Sequence, residues 1–350
     1  MNRDWRMDVN FRHDRLKKNN PDWISDHLCV FCPRMGLGDL ITSVGLFKTI
    51  NEETGKKLII ITKESTSGKQ YLLDEPYCAD VIYLPKHKRG LLNFFKNLKD
   101  FFNLVKILKE HNKDEIFILH SSKRYVLAAI SAGINKIYAP GLGVQNFFVK
   151  KNNSYYGSFF QERVHPRLEG ELLVKKIFGI IKTQNNLLVN MRPDKEQSHV
   201  LIGIASSGHV RQWGYENHKL IIDYLIKRNY KKFYLLSGKD QVDLENKLIK
   251  EFSSEDTFIE GTSNLSLKNI FEKTKKGKFY FGHDTGFMFL SLSLNIPAIG
   301  LFGEVSPYFY SDNMKSIVPE DEIFGENCIK NISFENAKSK LDKFISLYKL

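Results

Sequence analysis

The chain has 350 residues, of which 42% are hydrophobic and 26% charged, the balance of an ordinary globular protein. That length exceeds one hydrophobic core, so we expect two α/β domains. The formal net charge of +12 favours an anionic partner such as a nucleotide, an acidic or phosphorylated sugar, nucleic acid or an anionic membrane. No apolar run approaches the roughly 18 residues of a membrane-spanning helix. Residues 1–20 lack the apolar core of a secretory signal, so we expect a cytoplasmic protein.

The pattern along the chain predicts two series of alternating strands and helices. A polar N-terminal extension, residues 1–27, precedes a first domain over residues 28–190. A polar stretch containing proline, Asn185–Ser198, is the predicted linker to a second domain over residues 191–332. An amphipathic helix, Ser333–Leu350, is expected to pack back on the first domain. The predicted strands are Leu28–Pro33, Leu58–Thr62, Val81–Leu84, Glu115–His120 and Lys136–Ala139, then Val200–Ala205, Lys232–Ser237, Thr257–Glu260, Lys278–Gly282 and Ala298–Phe302.

A glycine-rich turn follows the first predicted strand. Gly36 and Gly38 allow a tight turn and a close approach of a ligand to the backbone. The turn is not a dinucleotide fingerprint, because Ile41 occupies the third glycine position. Asp39 falls at the start of the next helix, where it could act as a general base or bind a hydroxyl group. The alternative is that Asp39 only caps that helix.

Two loops in the second half offer polar groups to a ligand. Ser206 and Ser207 follow a predicted strand and leave room for phosphate oxygens, and Arg211 could pair with them in bidentate fashion. The alternative is a polar surface loop with an isolated arginine. Further on, Asp243 or Glu245 could reach a ribose, although acids that merely begin a helix would give the same pattern.

The segment Lys278–Gly303 reads as strand, tight turn, buried helix and strand. Asp284, Thr285 and Gly286 lie where the helix starts, so free backbone N–H groups are expected there. A phosphate is the usual ligand of such a terminus, and helix capping by Asp284 and Thr285 is the alternative. Two Rossmann-like halves would then contribute ligand contacts from the carboxyl ends of their strands, facing a central crevice.

A basic segment, Lys86–Glu110, carries seven Lys or Arg residues against two acids and has apolar residues at helical spacing. Such a helix can lie on anionic lipid. Its apolar stripe also fits a helix that covers the sheet. We expect the cluster Lys86–Arg89 to meet an acidic lipid or a phosphorylated acceptor.

Several other functions are disfavoured. The chain contains no phosphate-binding P-loop, no HExxH motif and no nucleophile elbow, and its histidines do not cluster at metal-ligand spacing. Cys29 and Cys32 have CxxC spacing but lie in an apolar strand, which predicts buried, inert thiols. The basic charge is spread along the chain without a compact basic and aromatic module, so no nucleic-acid partner is expected.

Five motifs together resemble glycosyltransferase family 9, the heptosyltransferase family of lipopolysaccharide core assembly. They occur in family order from about Leu28 to Ser306, and the Gly-Asp and Asp-Thr-Gly blocks are the specific ones. The motifs are GLGDLITSVGLFKTI, AAISAGINKIYAPG, HPRLEGELL, ASSGHVRQW and GHDTGFMFLSLSLNIPAIGLFG. The resemblance implies an α/β GT-B fold with two Rossmann-like domains, an inverting mechanism and no metal or other cofactor.

The resemblance also implies residue roles. Asp39 matches the family's catalytic base. Ser206 and Ser207 match its phosphate-contacting hydroxyls, and Asp284-Thr285-Gly286 matches its nucleotide-sugar loop. Two positions depart from the family pattern, because Arg211 replaces a lysine and Phe289 a histidine. The other candidate roles do not come from the resemblance. Arg211 is a candidate donor contact and Asp243 a candidate ribose contact, and the candidate acceptor contacts are Gly38, Lys123 and Arg124.

The resulting expectation is transfer of a sugar, most simply heptose from ADP-heptose, to a lipopolysaccharide-core or related glycan acceptor. The expected partners are this nucleotide-sugar donor, an acidic or phosphorylated glycolipid and the inner face of the inner membrane. The alternative is a nucleotide-sugar-binding protein or a GT-B-type epimerase without transfer activity.

Overall fold

The computed structural model describes residues 27–33, 36–84, 94–111, 114–156, 162–164, 166–205, 212–308 and 310–350. The chain divides into two compact units. The first includes residues 27–33 and Gly45–Gln184, and the second includes Gly36–Val44 and Asn185–Leu350. The short segment Gly36–Val44 therefore belongs to the second unit, although it follows the first strand in sequence.

The first unit is built on a five-stranded parallel sheet with the order β3-β2-β1-β4-β5. Each strand is a short run rich in Ile, Val, Leu and Phe, as expected for strands that are buried on both faces. Cys29 lies opposite Ile59 on one side and Ile116 on the other, which fixes the register of the central strands. The strands are β1 His27–Phe31, β2 Lys57–Lys63, β3 Cys78–Leu84, β4 Glu115–Ile118 and β5 Lys136–Tyr138.

Helices cover both faces of this sheet. On one face, Leu104, Val105 and Leu108 of the basic helix α4 join a core with alternate strand residues. On the other face, Phe117 stacks on Phe178 of α6 at 5.6 Å between ring centroids. The helices of the first half of the chain are α1 Leu37–Ile41, α2 Val44–Thr54, α3 Lys69–Leu72, α4 Phe94–His111, α5 Lys123–Ser131 and α6 Pro166–Phe178.

The second unit is built on a six-stranded parallel sheet with the order β11-β10-β9-β6-β7-β8. Numbered from its own first strand, this is the strand order of a Rossmann fold. The strands are β6 His199–Gly203, β7 Lys232–Leu236, β8 Phe258–Gly261, β9 Gly277–His283, β10 Ala298–Leu301 and β11 Met314–Ile317. The helices are α7 Tyr215–Lys227, α8 Val242–Phe252, α9 Leu267–Lys275, α10 Gly286–Ser293 and α11 Phe334–Tyr348.

The C-terminal helix α11 belongs to the second unit. Its Ala337, Leu341, Phe344 and Ile345 are buried in the core of the second unit, with strand residues of that unit's own sheet. The helix is therefore part of the second unit's own core. Amphipathic spacing shows that a helix has a buried face, but it does not identify the sheet that the face covers.

The ten predicted strands are all confirmed, with ends that shift by up to three residues. The structure adds one strand, β11, whose sequence Met-Lys-Ser-Ile has a single fully buried residue, Ile317. This strand lies at the edge of the sheet, where solvent exposure removes most of the apolar pattern that sequence analysis depends on.

The predicted linker Asn185–Ser198 contains no helix or strand, and it is held against the second unit. The Leu188 amide donates to the Ser293 carbonyl at 2.9 Å, and the Asp194 amide donates to the Lys275 carbonyl at 2.9 Å. The segment is therefore a docked connection, fixed by backbone hydrogen bonds at several points.

The prediction of inert thiols is confirmed for the CxxC pair. Cys29 and Cys32 form no disulfide within the described residues, and both are buried, with exposures of 1% and 0%. Burial raises the pKa of the Cys29 thiol to about 12, which suppresses the reactive thiolate form. The N-terminal extension and the basic cluster Lys86–Arg89 lie outside the described residues.

Candidate functional site

Strand order reverses once in each sheet. In the first unit the reversal lies between β1 and β4, and in the second it lies between β6 and β9. Helices that connect strands on either side of such a point diverge, so the carboxyl ends of the two central strands stay open to ligands. Every segment that follows these four strands carries candidate residues: Gly38 and Asp39 after β1, Lys123 and Arg124 after β4, Ser206, Ser207 and Arg211 after β6, and Asp284, Thr285 and Gly286 after β9.

Two glycines bring β6 and β9 together at this end of the second sheet. Gly203 lies opposite Gly282, and a Cβ atom on either would collide with the neighbouring strand. The space beside Gly203 is filled by the Tyr280 side chain, whose hydroxyl donates to the His283 carbonyl at 2.8 Å. This packing sets the backbone position of His283, the last residue of β9.

The His283 imidazole is 2% exposed and makes a hydrogen bond with each of its nitrogens. Nδ1 lies 3.0 Å from the Ala205 carbonyl, and Nε2 accepts the Trp213 amide at 3.0 Å. Because Nε2 is the acceptor, Nδ1 carries the proton. Burial, followed by the proximity of His218, lowers the pKa of His283 to about 3, so the ring is neutral. One side chain thus holds both flanks of residues 206–212 next to Asp284.

A second buried histidine supports this arrangement. His218 in the first turn of α7 is 0% exposed, and its Nδ1 lies 2.7 Å from the Gly214 carbonyl. Its ring is 5.1 Å from that of His283 and 5.5 Å from that of Trp213, both edge to face. Burial lowers the pKa of His218 to about 4. The Trp213 indole donates to the Ile332 carbonyl at 2.7 Å. Trp213, His218 and His283 are thus all held in place by hydrogen bonds to the backbone.

The start of α10 exposes backbone donors. Thr285 is the N-cap, with extended backbone angles, and its side chain makes no capping hydrogen bond. The amides of Met288 and Phe289 donate to the Thr285 carbonyl, whereas those of Gly286 and Phe287 have no acceptor in the described part of the chain. Side-chain capping therefore does not account for this sequence. Two free amides at the positive end of a helix form a site that favours an anion.

Asp39 lies in the first turn of α1, three residues after the N-cap Gly36. The helix has no side-chain cap, so Asp39 is not the capping residue. Among the described residues, its half-buried carboxylate has no hydrogen-bond or ion-pair partner, and its carbonyl accepts from the Thr42 hydroxyl at 2.9 Å. A carboxylate held on a fixed turn without a partner can accept a proton from a ligand hydroxyl.

Glycines allow α1 to meet α10 at their N-terminal ends. A Cβ atom on Gly38 would lie 2.8 Å from the Gly286 Cα and 3.1 Å from the Phe289 ring. Phe289, at the position where the family pattern has a histidine, is 2% exposed and packs against Tyr308 and Tyr310 at 5.9 and 5.0 Å between ring centroids. In this chain Phe289 is thus a packing residue beneath the glycine contact.

The other candidates differ in position. Asp243 is exposed in the first turn of α8, after β7, and away from the strand reversal. Glu245 is buried and accepts hydrogen bonds from the amides of Thr262 and Ser263 at 2.8 and 3.0 Å. Glu245 therefore stabilises the loop after β8 and is not available to a ribose.

The remaining candidates include three that the structure does not describe. Lys123 is exposed and Arg124 half-buried at the start of α5. Ser206, Ser207 and Arg211 lie outside the described residues. Within the described ranges, no group of three or more His, Cys, Asp or Glu side chains could hold a metal ion.

Sequence reasoning did not single out His283 or Trp213. The available signal was a histidine at the end of an aromatic strand, directly before Asp-Thr-Gly. Its two partners lie 78 and 70 residues away in sequence, so only the folded chain reveals the contacts.

The comparison with protein families decides the class. The family model described as "Glycosyltransferase family 9 (heptosyltransferase)" matches residues 156–341, more than half of the chain. The chain belongs to glycosyltransferase family 9. It is therefore a glycosyltransferase, and its two parallel sheets are the Rossmann-like domains of the GT-B fold class. A comparison with curated proteins gave no match.

Solved structures of this family share the fold. A family 9 glycosyltransferase from Veillonella parvula is 14% identical, with a TM-score of 0.70, covering 92% of this chain and 97% of the other. E. coli heptosyltransferase WaaC with ADP-2-deoxy-2-fluoro heptose is 13% identical, with a TM-score of 0.70 and coverage of 91% and 99%. E. coli ADP-heptose lps heptosyltransferase II is 14% identical, with a TM-score of 0.67 and coverage of 92% and 100%. None of the helices in the described residues has the length and apolar character needed to span a bilayer.

The glycine contact predicts an effect of one methyl group. Gly38→Ala should lower the free energy of unfolding by about 1–3 kcal/mol, because the added carbon meets backbone atoms of α10 that cannot move aside. Gly36→Ala is the matched control, since the nearest atom to its Cβ is 4.0 Å away. Urea denaturation of both variants provides the measurement. Equal stability of the two variants would contradict the contact.

The buried histidines predict an acid-sensitive fold. The unfolded chain protonates His218 and His283 near pH 6.5, whereas the native state does not until about pH 4 and 3. Stability should therefore fall as pH falls from 6.5 to 5, by about 2 kcal/mol for each fully buried imidazole. Urea denaturation at pH 7 and pH 5 measures this. His283→Asn should lose one histidine's share of the pH dependence, and an unchanged slope would contradict the assignment.

Proposed function

We propose that the protein transfers a heptosyl group from ADP-heptose to an acidic or phosphorylated glycolipid of the lipopolysaccharide-core type, with inversion at the anomeric carbon. Family membership supports the transfer reaction. The choice of donor draws on the solved relatives, because WaaC is described with ADP-2-deoxy-2-fluoro heptose and a second E. coli relative as an ADP-heptose heptosyltransferase.

The observation that carries the proposal is the start of α10. Its free amides at Gly286 and Phe287 lie directly after β9, where the strand order reverses. We assign the donor diphosphate to this terminus, together with Asp284 and Thr285. Since His283 holds both flanks of residues 206–212, the hydroxyls of Ser206 and Ser207 and the Arg211 guanidinium are assigned to the same diphosphate.

Asp39 is the proposed catalytic base. It takes the proton of the acceptor hydroxyl while that oxygen attacks the anomeric carbon on the face opposite the diphosphate. The bond from the anomeric carbon to the diphosphate oxygen breaks, and the bonding pair leaves with the nucleoside diphosphate, which inverts the configuration. Positive charge and backbone donors stabilise the leaving group, so the proposal needs no metal ion.

The acceptor assignment rests on charge and topology. Lys123 and Arg124 follow β4, the partner of β1 at the reversal of the first sheet, and Gly38 precedes the base. The net charge of +12 favours an acidic acceptor and the anionic inner face of a membrane, with Lys86–Arg89 as the proposed contact. Asp243 stays a proposed ribose contact, because its carboxylate is exposed to an incoming nucleoside.

Incubation with ADP-heptose and a deacylated or intact lipopolysaccharide-core acceptor tests the proposal. We expect release of ADP that depends on acceptor, and a product whose anomeric configuration by NMR is opposite to that of the donor. Release of ADP without any glycosylated product would contradict transfer, and retention of configuration would contradict the mechanism.

The assignment of Asp39 predicts a specific loss. Asp39→Asn should slow transfer by roughly 10²–10⁴-fold with little change in donor affinity, because the amide cannot accept the proton. Steady-state kinetics and calorimetric titration with ADP measure the two quantities. Glu216→Gln, an exposed acid in the first turn of α7, is the matched control. Near wild-type transfer by a folded Asp39→Asn variant would remove Asp39 from the mechanism.

The assignment of Arg211 predicts weaker nucleotide binding. Arg211→Ala should lose about 1.5–3 kcal/mol of ADP affinity, the usual contribution of a hydrogen bond to a charged group. Calorimetric titration measures the loss. Arg211→Lys retains the charge and should recover part of the affinity. An unchanged dissociation constant for Arg211→Ala would show that this side chain does not contact the diphosphate.

A further inference from the structure

We propose that His283 is a positioning residue for the donor diphosphate: its imidazole ties the Ala205 carbonyl and the Trp213 amide to the residue directly before Asp284 and the start of α10. This inference rests on the proposed function. His283 does not touch the donor in this scheme, because its ring is buried and both nitrogens are already bonded within the protein.

The geometry explains why one residue controls both flanks. Nδ1–H donates to the Ala205 carbonyl and Nε2 accepts from the Trp213 amide, each at 3.0 Å. The two nitrogens belong to one rigid ring, so the distance between the two backbone flanks is set by the imidazole itself. Asp284 follows His283 directly, and its amide donates to the Leu301 carbonyl at 3.2 Å. The same backbone therefore fixes the entry to α10.

Each bond demands a specific protonation state. Loss of the Nδ1 proton or protonation of Nε2 would leave a buried backbone group without a partner, which is costly. The surroundings favour the neutral ring, because His218 lies 5.1 Å away and the site is closed to water. The neutral ring protonated on Nδ1 is thus the one state that satisfies both the Ala205 carbonyl and the Trp213 amide.

The functional consequence concerns the donor. Ser206, Ser207 and Arg211 lie in sequence between Ala205 and Trp213. In the proposed function they bind the same diphosphate as the amides of Gly286 and Phe287, which have no acceptor among the described residues. A shift of about 1 Å in a positioning element can cost as much as 10²-fold in catalysis. Loss of His283 should therefore raise the donor KM and weaken ADP binding, and leave the acceptor KM unchanged.

His218 provides the matched control. It is as deeply buried as His283 and belongs to the same aromatic cluster, but its Nδ1 bonds the Gly214 carbonyl at the start of its own helix. If burial alone matters, His218→Phe and His283→Phe should behave alike. If positioning matters, both should reduce stability, and only His283→Phe should change the donor parameters.

The experiment compares wild type, His283→Phe, His283→Asn, His283→Gln and His218→Phe. We expect His283→Phe to raise the donor KM and the ADP dissociation constant by about tenfold to 10²-fold. The side-chain amide of Asn can donate to the Ala205 carbonyl in place of Nδ1, and the side-chain oxygen of Gln can accept from the Trp213 amide in place of Nε2. Each of these variants should therefore recover part of the lost ADP affinity. Hydrogen exchange without ligand should show faster exchange of the Trp213 amide in His283→Phe and unchanged exchange in His218→Phe.

The outcomes separate the inference from the proposed function. Failure of the wild-type protein to bind ADP or its sugars would overturn the proposed function and the inference with it. Normal binding by wild type and an unchanged donor KM in His283→Phe would overturn the inference alone. Equal changes in both phenylalanine variants would also overturn it, since they would show a general loss of stability. Should His283→Phe not fold, the Asn and Gln variants decide the question by the same readouts.

Discussion

The position of the candidate site depends on a constraint of parallel sheets. Both sheets grow outward in two directions from their first strand, so β1 lies beside β4 and β6 lies beside β9. The connections on the two sides of such a pair run away from each other, and the carboxyl ends of the central strands remain uncovered. Candidate site residues that follow neighbouring strands therefore lie at the same edge of the sheet without any further element. Both halves of the chain place their candidate residues beside such a reversal of strand order, although their loop sequences are unrelated.

Small residues at these strand ends make the backbone itself available. Gly203 and Gly282 let the central strands of the second sheet approach around Tyr280, and Gly38 and Gly286 let two helix starts meet. Side chains at these places would collide with the facing element and separate the two. The glycines thus provide no side-chain packing, but they let a ligand approach the backbone donors, as in other phosphate sites.

Burial of polar groups supplies the rigidity that small residues cannot. His283 and His218 stay neutral because burial lowers the pKa of both. The His283 ring then acts as a fixed hydrogen-bonding element between backbone segments that are distant in sequence. The His218 ring bonds the Gly214 carbonyl at the start of its own helix. Glu245 has the same role on the neighbouring loop, where its carboxylate holds the amides of Thr262 and Ser263. Residues that resemble catalytic groups in sequence can therefore be structural supports beside the site.

The sequence alone determined the alternation of strands and helices, because buried parallel strands are short apolar runs and turns need glycine or polar residues. It also determined that Asp39 and Asp284-Thr285-Gly286 lie at strand-to-helix turns, since such positions are local in sequence. Only the tertiary structure decided which strands are neighbours, that α11 packs on the second sheet, and that Gly36–Val44 belongs to the second unit. The role of His283 was beyond sequence for the same reason. Its partners, Ala205 and Trp213, lie 78 and 70 residues away in sequence. These hydrogen bonds form only when the sheet brings the segments together, so no local sequence pattern predicts them.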